Sequence, residues 1–531
     1  MLWPINKQFR ISNFEFRIAP LLNWFGAILT GFLLFAAFPP LEWSVLAWVA
    51  LVPLLMVSAS AAPRLAFRWG FLAGLVFWLL SLVWLTRVSW VGWLFLCLYC
   101  ALFMACFALT VSWWIARKGL RPRFGNPLLV LSIPAVWVGW EYLRAMLFSG
   151  FPWNTLGVSQ YANLWLIQTA EVGGVYLVSY LVVMVNATLA LILIQYIRRQ
   201  PGEPLRMHAE LLVALLGIAI AQLYGTMALH RLPAATDTLK IAAVQVNIPQ
   251  LEKWSEVWTV AINNRLRRTS LRAIEHCAPD LIVWPETVVP DFVRTSLVSQ
   301  KIIADVIRHG TSVLMGSMDF DDSGCAVKYF NSAFLYQPGG LAPQTYAKRH
   351  LVLFGEYIPL EQWIPFLRVL TPVEESFTPG REAGVFRLGR RAFAVLICFE
   401  DTVAGLARDC VRAGARLLIN QTNDAWFDPS WASRQHMAHC VFRCVENRVS
   451  AVRATNTGIT CFIDRQGRIV SFLGRAKGPL PDPDYLTHAV ALPPADMALT
   501  FYTRHGDVLA LGCAAFTLTL FAGMVWLRRN H

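Results

Sequence analysis

Eight long apolar runs, seven ahead of a polar stretch and one behind it, constrain this chain more than any other feature. They span approximately 21–38, 41–61, 66–85, 88–116, 127–147, 163–197, 209–230 and 507–528. A hydrocarbon core of about 30 Å takes roughly 20 helical residues to cross, so each run predicts a transmembrane helix. The chain has 56% hydrophobic and only 15% charged residues, with a mean hydropathy of +0.48, which is too apolar for a water-soluble fold of 531 residues. The first run is as long as a spanning helix and has no small-residue cleavage site, so it reads as retained and not as a cleaved signal.

Positively charged short connections stay in the cytoplasm, and here they fall on one side. Lys7, Arg10 and Arg17 precede the first run, Arg64 and Arg68 separate the second and third, and Arg117, Lys118, Arg121 and Arg123 follow the fourth. Arg198, Arg199 and Arg206 follow the sixth, and Arg528 and Arg529 follow the last. The connections on the other side, 39–40, 86–87 and 148–162, carry Arg87 alone. Both termini are therefore expected in the cytoplasm, with the polar stretch outside. The expected organisation is a seven-helix transmembrane bundle over 1–230, an extracytoplasmic domain over 231–506, and an eighth helix with a short cytoplasmic tail over 507–531. Those cytoplasmic side chains account for the net charge of +13, so nucleic acid is not expected as a partner.

Between the last two runs, short apolar strands alternate with helices. Strands are expected at 240–247, 280–286, 311–318, 331–338, 392–400, 415–421 and 460–466, and helices at about 255–277, 298–309, 402–413 and 433–450. That alternation predicts an α/β layered domain with both sheet faces covered. Of eleven cysteines, Cys97, Cys100, Cys106 and Cys513 lie in apolar runs and the other seven in the outer domain. Their spacings form neither a disulfide framework nor a zinc site, and an odd seven leaves at least one thiol unpaired.

Three polar residues stand where apolar strands end or nearby: Glu286 after LIVWP, Lys348 in TYAKRH and Cys398 in VLICFED. A rigid sheet aims strand-end side chains into a cleft. A thiol needs a base to become a nucleophile, a carboxylate in an apolar site can serve as that base, and an ammonium can hold an oxyanion. Each residue taken alone also fits a structural role, as a small buried hydrophobe, a strand-end carboxylate or a solvated lysine.

Five segments in order, VQVNIPQLEKW (244–254), LIVWPETVVP (281–290), YAKRHLVLFGEYIP (346–359), VLICFEDT (395–402) and QTNDAWF (421–427), resemble the successive motifs of the nitrilase superfamily and, within it, the apolipoprotein N-acyltransferases. The resemblance extends to the eight runs, to AFPPLEWSVLAWVALVPLL (37–55), to GFPW (150–153) and to RATNTGIT (453–460). It implies an eight-helix bundle carrying a nitrilase-like α-β-β-α sandwich on the periplasmic face of the bacterial inner membrane. It implies a catalytic set of Glu286, Lys348 and Cys398, supported by Glu356. Asn331, Phe399, Glu400, Asn423, Trp426 and Phe427 would lie around the pocket or on loops over it, Trp254 at its entrance, and Trp153 against substrate lipid in the site. The implied partners are a phospholipid acyl donor and a diacylglyceryl apolipoprotein acceptor, served in ping-pong fashion through a thioester by a monomer without cofactor or metal. The chain departs from the pattern at Leu353, where a proline is expected, and at Phe399, where a tyrosine is expected.

A membrane-tethered amidase or nitrilase-type hydrolase would use the same three residues, with water resolving the thioester. A transporter would need polar residues along a path through the helices, and Glu141, Arg144, Glu171 and Asn186 are nearly all there are. Glu141 and Arg144, three apart on one helix face, are expected to form an internal ion pair. The glycines of VGGV (172–175) are expected to permit close helix packing.

Overall fold

The computed structural model describes residues 13–529 apart from 121–125, 199–207, 251–252, 254–255, 475–482, the single positions 290, 325 and 341, and all of 360–374 but 361, 363 and 368. Lys7, Arg10, Arg121, Arg123, Arg199, Arg206 and Trp254, named above, lie outside the described residues.

The first half is helical. In order come α1 (Asn13–Ala36), α2 (Val52–Ser60), α3 (Pro63–Ser81), α4 (Trp90–Lys118), α5 (Pro127–Met146), α6 (Leu164–Ile167), α7 (Ala170–Ile197) and α8 (Ala209–His230). With a last helix, Val508–Arg529, six helices among the described residues are long and apolar enough to cross a membrane. The expected second run, 41–61, is not one helix. It divides into a 3-10 helix, Ser44–Trp48, and the nine-residue α2, which has a proline in its first turn. The break leaves main-chain groups without helical partners, and buried side chains supply them. Asn186 on α7 accepts from Leu51 N at 2.8 Å and donates to Ala47 O at 2.9 Å, and Thr30 accepts from Leu54 N at 3.1 Å. A backbone interruption at membrane depth is tolerated only when it is satisfied in this way.

Helix α7 is kinked at Gly174, whose φ is 64°. A Cβ there would lie 2.6 Å from the ring of Tyr502, so the expected close approach at VGGV is real. Its partner is a tyrosine of the segment leading into the last helix.

Residues 237–492 form a sandwich of two six-stranded mixed sheets. The first contains β1 (Asp237–Gln245), β2 (Leu281–Val283), β3 (Ser312–Asp321), β4 (Lys328–Tyr336), β5 (Gln344–Ala347) and, at its far edge beside β1, β12 (Asp484–Leu492). The second contains β6 (Val385–Leu388), β7 (Arg391–Ile397), β8 (Leu417–Thr422), β9 (Ser450–Thr455), β10 (Thr460–Ile463) and β11 (Ile469–Leu473). The central strands β1–β2–β3 and β7–β8–β9 run parallel. Leu239, Ile241, Val283 and Leu335 of one sheet meet Phe393, Val395, Ile419 and Val452 of the other in a shared core.

Helices α9 (Glu256–Cys277) and α10 (Leu297–Ile307) cover the outer face of the first sheet, with Ile262, Leu266, Ile303 and Val306 packed on Ile282, Val313 and Phe334. Helices α11 (Ala404–Arg412) and α12 (Ala432–Asn447) cover the second. Their core is continuous with that of the bundle, so the fourth layer of the sandwich is clamped between a sheet and the membrane helices. Last come α13 (Phe501–His505) and α14 (Val508–Arg529).

Replacing Asn186 with leucine should cost about 1–3 kcal/mol, the usual penalty for stranding buried main-chain groups. Thermal unfolding of the detergent-solubilised protein would measure it as a lowered melting temperature beside wild type.

Candidate active site

The carboxyl ends of the parallel strands in both sheets meet at one place, where ligands of α/β sheets collect. Cys398 ends β7 with a φ of 52° and starts the 3-10 helix Cys398–Thr402. At the end of β8, Thr422 Oγ1 donates to Cys398 Sγ at 3.2 Å, while Asn420 Nδ2 donates to the Cys398 carbonyl at 2.9 Å. Burial raises the thiol well above its ordinary range. The Glu286 and Asp424 carboxylates raise it further, against the opposing pull of Lys348 and Thr422. The resting group is therefore a thiol at neutral pH, and a base must take its proton as it attacks.

Glu286 comes from the turn after β2. That turn is held from three sides: Trp284 N donates to Leu314 O at 2.8 Å, Gln421 Nε2 of the opposite sheet donates to Trp284 O at 2.6 Å, and Gly316 of β3 packs beneath. A Cβ at Gly316 would lie 2.6 Å from Thr287 N and 2.8 Å from Glu286 Cα, so only glycine allows this approach. Thr287 has a φ of 37°. A β-branched residue in that region is strained by about 1–3 kcal/mol, as is the left-handed Cys398, and such strain concentrates at functional sites.

Lys348, just past β5, is 1% exposed. Its Nζ lies 2.8 Å from Glu356 Oε1 and 3.6 Å from Glu286 Oε1. Asn331 on β4 donates through Nδ2 to both carboxylates, at 2.8 Å to Glu286 and 3.0 Å to Glu356, and the second oxygen of Glu356 accepts from Val352 N at 2.9 Å. Burial by itself would lower the lysine. The negative charges of Glu356 and Glu286, with Cys398, outweigh it and hold the ammonium above the ordinary lysine range. Glu286, Lys348, Cys398, Glu356 and Asn331 thus converge in one buried cluster.

The remaining candidates divide. Phe399 is the centre of a ring stack, with His350 on one side at 5.8 Å and Trp153 and Phe151 of the loop after α5 at 6.1 and 6.3 Å. Trp153 is only 2% exposed, and its Nε1 donates to Gln435 Oε1 at 2.8 Å, which holds the ring beside Phe399. Glu400 is fully buried. Its carboxylate accepts from Tyr346 Oη and from the main-chain N–H groups of Ile397, Arg349 and His350, bracing the turn that carries Cys398. Asn423 bonds Gln250 and Asn456 in a loop network. Phe427 packs edge-on against Trp84 with centroids 4.5 Å apart, and Trp426 is 42% exposed. Glu141 and Arg144 do not pair with each other. Glu141 accepts from Leu156 N at 2.7 Å and Arg144 donates to the carbonyls of Phe151 and Trp153, so both instead hold the loop after α5, which carries the stack.

Two family models match the chain: the apolipoprotein N-acyltransferase N-terminal domain over 30–188 and carbon-nitrogen hydrolase over 240–480. A protein of Geobacter metallireducens named apolipoprotein N-acyltransferase is 38% identical over 520 residues, covering 96% of each chain. The chain belongs to the apolipoprotein N-acyltransferase family. A second member, from Chlorobaculum tepidum, is 30% identical over 92% of this chain and 94% of its own. Among solved structures, a Nesterenkonia amidase of the nitrilase superfamily aligns with 51% of this chain and 95% of its own at 17% identity and a TM-score of 0.36. The ring stack of this acyltransferase-family chain joins the two matched segments, since Phe151 and Trp153 lie in the first and Phe399 in the second.

Sequence reasoning missed Lys253. It is 1% exposed, and its Nζ donates to Thr287 Oγ1 at 2.8 Å and to the Glu286 carbonyl at 3.4 Å. Its one signal was its place in the first motif, beside Trp254. Burial lowers this ammonium to about 8, against the pull of Glu286 and Cys398. A lysine lowered on folding leaves the unfolded chain holding more protons between that value and its ordinary one, so its contribution to stability rises with pH across that window. The melting-temperature difference, wild type minus Lys253→Met, should therefore increase from pH 7 to pH 10 in scans at matched ionic strength.

Proposed function

We propose that this enzyme transfers an acyl chain from a phospholipid to the α-amino group of a diacylglyceryl-cysteine at the N-terminus of an apolipoprotein, with Cys398 as nucleophile. As Glu286 takes the thiol proton, Cys398 Sγ attacks the sn-1 ester carbonyl and Lys348 stabilises the oxyanion. The ester C–O bond breaks, Glu286 returns the proton to the leaving oxygen, and a lysophospholipid departs. The amine then attacks the thioester, Glu286 receives its proton, and the C–S bond breaks to give an amide and the regenerated thiol. Glu356 and Asn331 keep Lys348 and Glu286 facing the thiol, which is the task of pre-positioning.

The observation that carries transfer over hydrolysis is the stack of Phe399 on Trp153, planes 1° apart. It couples the residue next to the nucleophile to a loop of the membrane bundle, a coupling suited to lipid substrates. Sharing the bilayer with both substrates raises their effective concentration. Counting α1 and the broken second run, the bundle is proposed to make eight crossings, with domain limits near 230 and 506. The charge bias of the connections supports cytoplasmic termini and a periplasmic catalytic domain in a bacterial inner membrane. The enzyme is proposed to act as a monomer without a cofactor.

Intact-protein mass spectrometry tests this after incubation with phospholipid and then with a diacylglyceryl-cysteine peptide. Wild type should gain one fatty-acyl mass and lose it as the peptide gains an amide-linked chain, while Cys398→Ala gains none. An adduct lost to water as fast without peptide would replace transfer with hydrolysis. Glu356→Gln should fold but acylate roughly 100-fold more slowly, as when one preorganised electrostatic partner is removed.

A further inference from the structure

Helix α12 carries two histidines three residues apart, His436 and His439, both 2% exposed and behind the nucleophile. Their hydrogen bonds fix opposite protonation states. His439 Nε2 accepts from Asn154 N at 3.4 Å, so that nitrogen bears no proton. Burial first, then Arg443, lowers His439 to about 3. His436 faces only acceptors: Nδ1 lies 3.1 Å from Asp424 Oδ1, and Nε2 lies 3.2 Å from the Cys398 carbonyl and 2.8 Å from Asp401 Oδ1. A carboxylate and a carbonyl can only receive hydrogen bonds, so both ring nitrogens of His436 must carry protons.

Charge balance gives the same answer independently. Arg453 pairs with Asp401 and lies 3.7 Å from Asp424, and all three are at most 1% exposed. Two carboxylates and one guanidinium leave one uncompensated buried negative charge, which an imidazolium cancels. Burial alone would lower His436, but Asp401 foremost and Asp424 hold it at about 9 against Arg453.

We propose that His436, locked as an imidazolium between Asp401 and Asp424, is a positioning residue for the nucleophile: it anchors the Cys398 carbonyl and so maintains the left-handed turn that presents the thiol to Glu286 and Lys348. The role rests on the reading of Cys398 as the acyl acceptor. Two donors, His436 Nε2 and Asn420 Nδ2, grip that one carbonyl, while the adjoining φ of 52° is a conformation that relaxes unless the surroundings enforce it. The imidazolium also offsets the Asp424 carboxylate, which disfavours a thiolate at Cys398.

The test compares wild type, His436→Met, whose side chain has no donor, and the charge-restoring double variant His436→Met/Asp424→Asn in the full-length enzyme. Three quantities are read: the rate and lipid KM of acyl-adduct formation, the rate of iodoacetamide labelling at Cys398 by peptide mass spectrometry, and the melting temperature. His436→Met should slow adduct formation roughly 10- to 100-fold, as a displaced reacting group does, with lipid KM unchanged and labelling slowed in parallel. The double variant should recover the wild-type melting temperature and remain slow, because neutrality returns without the second donor. A folded variant of either kind that acylates and labels at wild-type rates overturns the proposal, and so does full recovery in the double variant. Labelling needs no lipid or peptide. A wild type that forms no adduct, with labelling slowed in both variants, would therefore sink the acyl-transfer reading and leave the positioning role standing.

Discussion

Helix α12 has almost no solvent face, and the rest of the molecule is arranged around that constraint. Fifteen of its sixteen residues are buried, Arg434 alone excepted, although it carries glutamine, two histidines, arginine, glutamate and asparagine. A helix of that composition can be buried only if each polar group finds a partner. Gln435 accepts from Trp84 and Trp153 and donates to the Pro39 and Ser81 carbonyls; Arg443 pairs with Glu446 and donates to Thr402 O; Glu446 accepts from Val175 N; Asn447 accepts from Thr503. These contacts reach the loop after α1, the ends of α3 and α7, the loop after α5 and the segment before the last helix. Removing one partner of a buried ion pair such as Arg443–Glu446 typically costs about 3–5 kcal/mol, so the membrane bundle and the catalytic sheet are fixed to each other polar group by polar group.

That fixing bears on chemistry. The second sheet ends at Cys398, and α12 lies directly behind it. Through the Phe399 stack and Gln435, the loop of Phe151 and Trp153 is held against the residue next to the nucleophile. Strain at Cys398 and Thr287 persists because Glu400, His436 and Asn420 brace one turn while Gly316, Gln421 and Lys253 brace the other. His436 comes from α12, Asn420 and Gln421 from β8, Gly316 from β3 and Lys253 from the segment after β1, so neither turn can relax without moving a sheet.

Within the bundle, polar residues serve main-chain gaps. Asn186 and Thr30 fill the break in the second run, and Glu141 and Arg144 hold the loop after α5. Glu171 meets Arg448 and Arg231 where α7 reaches the catalytic domain. Each is spent on backbone or on the junction between domains, which leaves little for a path across the membrane and argues against a transporter on physical grounds.

The sequence by itself determined what periodicity and local chemistry can encode. Apolar runs of spanning length marked the helices, β-branched runs marked the buried strands β1, β3, β7 and β8, and ordered motifs picked out Glu286, Lys348, Glu356 and Cys398. Edge strands such as β6, β11 and β12 escaped because their half-exposed residues give no continuous apolar run. Tertiary structure alone decided the rest. The run 41–61 has the apolar length of a helix, yet its interruption depends on Asn186, more than a hundred residues away. Glu141 and Arg144 have the spacing of an ion pair, yet carbonyls and an N–H of a later loop compete for them. His436 and His439 are indistinguishable in sequence, and only the carboxylates brought up by β7 and β8 make one charged and the other neutral. Hydrogen bonds and charge balance act between atoms close in space, so partners drawn from distant segments leave no periodic mark on the chain.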